Sequence, residues 1–89
     1  MSNLIKIRLF GARCERCTEA EQILVDFFGK REIPINLEKV NDLKEMVKKG
    51  IVVTPAIEIN GKILFHGRLP KTNELDTWLT QYLDQQKNE

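Results

Sequence analysis

Cys14 and Cys17 are the only two cysteines in this 89-residue chain, and they stand three positions apart in the run Cys14-Glu15-Arg16-Cys17. That spacing suits thiol–disulfide exchange, which needs a thiolate at working pH, a second thiol close enough to resolve a mixed disulfide, and access for a partner. At a helix start, unsatisfied N–H groups and the positive end of the helix dipole favour an anion and lower a thiol pKa. Arg13 and Arg16 push Cys14 the same way and Glu15 opposes them, so an intermediate thiol acidity is expected rather than that of a strong oxidant. Cys17, one helical turn further in, falls within the ~4.4–6.8 Å Cα separation that a disulfide tolerates. It also belongs to an apolar stripe, so its thiol is expected to be the more buried of the two. Cys14 is therefore the expected nucleophile and Cys17 the resolver. The redox-active disulfide Cys14–Cys17 itself is the reactive group, and no separate cofactor or metal is called for. A structural zinc site needs four ligands, and beyond these two thiols the chain offers only His66 and carboxylates.

The elements that must hold the pair follow from periodicity. Leu4 to Phe10 alternates, with Ile5, Ile7 and Leu9 on one face and Lys6 and Arg8 on the other, which predicts a strand. Gly11 breaks it. From Cys14 the apolar residues Cys17, Ala20, Leu24, Phe27 and Phe28 fall at helical intervals, and Gly29 is the expected stop. Pro34 opens a second short strand through Ile35 and Leu37. Asp42 and Glu45 are a plausible capping pair for a short helix with Leu43, Met46 and Val47 as its apolar stripe and Gly50 at its end. Its terminal Lys48-Lys49 suits the dipole and is expected to be solvated. A third strand is expected within Val52 to Ile59 and a fourth from Lys62 to His66. Asn60-Gly61 between them signals a two-residue turn with positive φ at both positions. Such a turn pairs Ile57 with Leu64 and Pro55 with His66, bringing His66 toward the proline loop; a solvated side chain is its plainer role. Leu75, Trp78, Leu79, Tyr82 and Leu83 describe a last amphipathic helix, and Gln85 to Glu89 are expected to fray.

The resulting order is β-α-β-α-β-β-α, with a right-handed parallel crossover first and a closing antiparallel hairpin. Together, Gly11-Ala12-Arg13-Cys14-Glu15-Arg16-Cys17, Val53-Thr54-Pro55-Ala56, Ile59-Asn60-Gly61-Lys62 and His66-Gly67-Arg68-Leu69-Pro70 resemble the small thioredoxin/glutaredoxin-like proteins of the redox-active disulfide type. The resemblance runs from Leu4 to about Leu83. It implies a thioredoxin-like α/β fold, a four-stranded mixed sheet with the first strand central and three helices, in a single domain over residues 1–89. It implies a cis Pro55 beside the cysteines and a Thr54 backbone open to an extended substrate segment. Thr54, Pro55 and Arg13 are the residues expected on the substrate side. Two departures narrow the expectation. Larger thioredoxins keep a buried carboxylate on the strand before the motif, whereas Arg8 occupies that stretch here. The Gly-Gly and acid with which glutaredoxins hold glutathione are replaced by Gly67-Arg68-Leu69-Pro70, with Glu74 the nearest acid.

Composition limits the partners. The chain is 42% hydrophobic and 30% charged, with a formal net charge of +1, so no global field points to nucleic acid or to a membrane surface. It has no run long enough for a membrane span and no secretory leader pattern at Met1-Ser2-Asn3-Leu4, so a cytoplasmic monomer is expected. Thiols there are kept reduced, which suits a redox device better than a structural staple. The expected partners are a protein disulfide substrate and an upstream thiol or flavin reductase. Other functions for the same residues are capture of a soft metal or metalloid by the dithiol, a glutathione-dependent glutaredoxin, and an adaptor that merely docks a strand on the proline loop. Retained zinc or copper marks the first, and survival of function without either cysteine marks the last.

Overall fold

The alternation of Ile5, Ile7 and Leu9 against Lys6 and Arg8 becomes a central strand in the computed structural model, which describes residues 4–11 and 14–87. The elements are β1 (Ile5–Phe10), α1 (Glu15–Lys30), β2 (Ile35–Val40), α2 (Leu43–Lys48), β3 (Ala56–Ile59), β4 (Lys62–His66) and α3 (Thr72–Lys87). The sheet order is β2-β1-β3-β4. β1 and β2 are parallel, in register from Ile5 opposite Ile35 to Phe10 opposite Val40, while β3 is antiparallel to both β1 and β4. This is the expected mixed sheet, and its two faces make two apolar layers. Ile5, Ile7, Leu9, Ile57 and Ile59 pack against Ala20, Leu24, Phe27 and Phe28 of α1 and Leu75 and Leu79 of α3. Phe10, Ala56 and Val40 meet Met46 of α2 and Ile51 on the opposite side. Burial of these large side chains is worth about 1.5–3 kcal/mol each.

Several local expectations are corrected. Gly29 lies inside α1, which ends at Lys30 with Arg31 as its cap, and the chain turns away at Glu32, whose φ is 56°. The Glu32 N–H donates to the Gly29 carbonyl at 3.0 Å and the Ile33 N–H to the Phe28 carbonyl at 3.0 Å. That is a Schellman end in which an acidic residue accepts the left-handed conformation usually given to glycine. In α2, Asp42 caps as expected by accepting from the Lys44 N–H. Only Met46 of the apolar stripe is buried, however; Leu43 and Val47 are 74% and 70% exposed, since a six-residue helix presents one short face to the sheet. Glu45 turns to Arg8 instead of completing the cap.

The Asn60-Gly61 turn forms with φ of 50° and 87°. Asn60 also docks it on β1, exchanging bonds with the Lys6 backbone at 2.8 and 3.0 Å. The register starts as expected, with Ile59 opposite Lys62 and Glu58 opposite Ile63, then shifts between Ile57 and Glu58. Ile57 therefore faces Phe65, not Leu64, and His66 faces Ala56, not Pro55. Such an inserted residue is a β-bulge, which bends the strand and increases its twist. The third strand begins only at Ala56, leaving Val52 to Pro55 as a loop. α3 continues through Gln85 to Lys87, where fraying is expected; the rest of that expected tail, 88–89, lies outside the described residues.

Candidate functional site

Cys14 stands at the start of α1, four residues after the end of β1. Cys14 is the N-cap residue, extended at φ −123° and ψ 158°, and its Sγ accepts the Cys17 N–H at 3.0 Å. An N-cap acceptor satisfies one of the orphan donors at a helix start, and here the acceptor is sulfur. When Cys14 is a thiolate, the same N–H and the helix dipole stabilise its charge. The two cysteines are joined as a disulfide with a Cα separation of 5.1 Å. Cys14 is partly exposed, whereas Cys17 is 2% exposed and belongs to the inward face of α1. The arrangement leaves one sulfur within reach of solvent and one behind it. Glu15 and Arg16 between them are both exposed. Arg13 lies outside the described residues.

Opposite the disulfide stands the loop before β3. The Thr54–Pro55 peptide is cis, Pro55 is fully buried and Thr54 is partly exposed. Gly11 brings this loop and the cysteines together. Its φ is +103°, and a Cβ built there would lie 2.8 Å from Thr54 Cβ and 2.9 Å from Cys17 Sγ. Only a residue without a side chain allows that approach. A groove of about 360 Å³ opens over the disulfide, walled by Gly11, Thr54, Asn41, Leu43 and Met46 beside the two cysteines. Cys14, Cys17 and Thr54 are thus gathered at one place, with Pro55 directly behind Thr54 in the chain.

The acid of this region is not on β1, where Arg8 stands; among the described residues the buried acid is Glu58, 4% exposed, on β3 and directly opposite Arg8 in the ladder. Glu58 accepts from Lys49 Nζ at 2.6 Å and lies 3.8 Å from Arg8 Nη1. Lys49 is therefore a partner of Glu58 and not a solvated helix end. Arg8 in turn donates to Glu45 at 2.8 Å and Glu38 at 3.1 Å. The Glu45 hydrogen bond, with help from Glu38, holds the Arg8 guanidinium charged still more firmly than usual against some desolvation. The signal was a single acid inside the apolar run Ala56-Ile57-Glu58-Ile59: in a strand covered on both faces, such a residue must find cations. The network ties α2, a wall of the groove, to three strands.

His66 is on β4, and its Nε2 accepts the Val52 N–H at 3.2 Å. Arg68 forms a two-pronged pair with Glu74 at 2.7 and 2.9 Å. Among the described residues no group of three or more His, Cys, Asp or Glu side chains could hold a metal ion. Nor is any helix there long and apolar enough to cross a membrane.

Comparison with known proteins agrees with this geometry. A family model described as a thioredoxin domain matches residues 4–80. The chain is 27% identical over 81 residues to a protein named thioredoxin from Methanocaldococcus jannaschii, covering 91% of this chain and 93% of that one. Its fold is similar to the solution structure of the oxidised thioredoxin from Plasmodium falciparum, with a TM-score of 0.56 and 16% identity. That match covers 90% of this chain and 82% of the other.

Proposed function

The chain belongs to the thioredoxin family, which makes it a thiol–disulfide oxidoreductase, and from that premise we propose that it exchanges disulfides with partner proteins through Cys14 and Cys17. The observation that carries the proposal is the asymmetry of the pair: Cys14 is partly exposed at the helix cap with the Cys17 N–H on its sulfur, and Cys17 is buried one turn inside. In the reduced protein the Cys14 thiolate attacks one sulfur of a partner disulfide. A mixed disulfide forms and the partner's other sulfur leaves as a thiolate that takes up a proton. Cys17 then loses its proton and attacks Cys14 Sγ, which forms Cys14–Cys17 and releases the partner as a dithiol. Two electrons have passed to the partner. An upstream thiol or flavin reductase returns them.

Substrate approaches over the groove, with the Thr54 backbone pairing with an extended segment and Pro55 fixing the loop from behind; strand addition of this kind draws affinity from main-chain bonds. Arg13 completes the substrate side. On the same footing the chain is one domain, a cytoplasmic monomer that needs no cofactor beyond its own disulfide. The nearly balanced charge fits protein partners better than nucleic acid or a membrane. The test is reduction of insulin disulfides by dithiothreitol. Substoichiometric wild-type protein should accelerate it and Cys14→Ser should leave the background rate; a wild type that leaves the background rate unchanged overturns the proposal.

A further inference from the structure

The loop from Val52 to Pro55 is clamped from two sides. Gly11 meets Thr54 on the dithiol side. On the other side lies the end of β4, where the Gly67 N–H donates to the Pro55 carbonyl at 2.8 Å. Gly67 has φ +76°, and a Cβ on it would lie 2.8 Å from Val53 Cγ1. His66 adds a side-chain link, accepting the Val52 N–H on Nε2. Of these links, this one depends on a proton. An imidazole accepts at Nε2 only when neutral with its hydrogen on Nδ1, and the imidazolium is a donor at both nitrogens.

We infer that His66 is a positioning residue for disulfide exchange: by accepting the Val52 N–H on Nε2 it holds the Val52–Pro55 loop in the shape that presents Thr54 to substrate. The inference rests on the exchange function proposed above. The register places His66 beside Ala56, on the sheet face that carries Arg8 and Glu58. The charged groups of the neighbouring elements are paired among themselves: Glu58 of β3 with Lys49 after α2, Arg8 of β1 with Glu45 of α2, and Arg68 beyond β4 with Glu74 of α3.

The test uses two oxidants: a short synthetic peptide closed by one disulfide, with flanks that can pair along the loop, and dithiodipyridine, a small disulfide that needs no docking. His66→Gln keeps an acceptor oxygen that does not titrate; His66→Ala removes it. At about pH 8, KM for the peptide should rise roughly two- to tenfold in His66→Ala, the scale of one hydrogen bond, and return toward wild type in His66→Gln. With dithiodipyridine, which needs no docking, wild type, His66→Gln and His66→Ala should react at the same rate. If KM for the peptide is the same in wild type and His66→Ala, or if the two differ as much with dithiodipyridine as with the peptide, the positioning role is wrong; should His66→Ala not fold, His66→Leu, which fills the space but cannot accept, makes the same comparison. A wild type inert toward both oxidants overturns the exchange function and this inference with it.

Discussion

Gly11 and Thr54 are in direct contact across the site: a methyl group on Gly11 would stand 2.8 Å from Thr54 Cβ and 2.9 Å from Cys17 Sγ. The same backbone point therefore spaces the proline loop from the dithiol.

Gly11→Ala should damage both stability and exchange. The residue has φ +103°, so alanine is strained even before it meets its neighbours, at a cost of about 1–3 kcal/mol. Urea unfolding should show that loss as a lower midpoint. Gly61→Ala, also at positive φ but with nothing within 4 Å of the added Cβ, should cost stability without slowing exchange per folded molecule.

Lys49→Met should destabilise by about 1–3 kcal/mol, because it leaves the buried Glu58 carboxylate with Arg8 at 3.8 Å as its remaining ion-pair partner. Lys44→Met, on an exposed residue of the preceding helix α2, should be nearly neutral. Thermal unfolding of the two variants side by side checks the contrast. Adding Glu58→Gln to Lys49→Met should recover part of the loss, since a neutral amide is less costly to bury than an unpaired charge.

Glu74 should titrate below the usual carboxylate range, its charge favoured first by the hydrogen bond from Arg68 and then by the Coulombic pull of Arg68 and Lys71, with desolvation opposing. A depressed carboxyl contributes stability that is present above its unfolded pKa and is lost as pH falls through its folded pKa. The contribution belongs to neutral pH and vanishes in acid. Because the pair is exposed, thermal stability should hardly register it. A carbon-detected NMR titration of Glu74 should show the lowered midpoint, and Arg68→Gln should return it to the ordinary range.

The parts legible in sequence are those set by local rules. Period-two alternation marked β1, helical spacing from Cys17 to Phe28 marked α1, and Asn60-Gly61 marked the hairpin turn. What escaped depends on contacts between distant segments. Glu32 takes the left-handed role expected of Gly29 because the Phe28 and Gly29 carbonyls need the Ile33 and Glu32 N–H groups. The bulge at Ile57/Glu58 moved His66 from Pro55 to Ala56, and no turn rule specifies a bulge three residues away. Leu43 and Val47 matched a helical stripe, but stripe spacing does not say how much of a short helix the sheet can cover. Lys49 read as a solvated helix end, and no local rule pairs it with Glu58 nine residues on; the fold brings their side chains to 2.6 Å. At the site itself the motif residues Cys14, Cys17 and Thr54 were legible, and the glycines that space them were less so, because close approach is a property of the assembled loops.

The central claim is the division of labour between the two sulfurs, and mixed-disulfide trapping tests it most directly. Cys17→Ser and Cys14→Ser are each reduced, incubated with oxidised insulin, quenched with acid and weighed by mass spectrometry. Cys17→Ser should carry a partner chain on Cys14 that dithiothreitol removes, because the attacking thiolate remains and its resolver is gone. Cys14→Ser should carry none, since Cys17 is buried at 2% exposure. Equal trapping by the two variants, or trapping on Cys17 alone, would contradict the assignment.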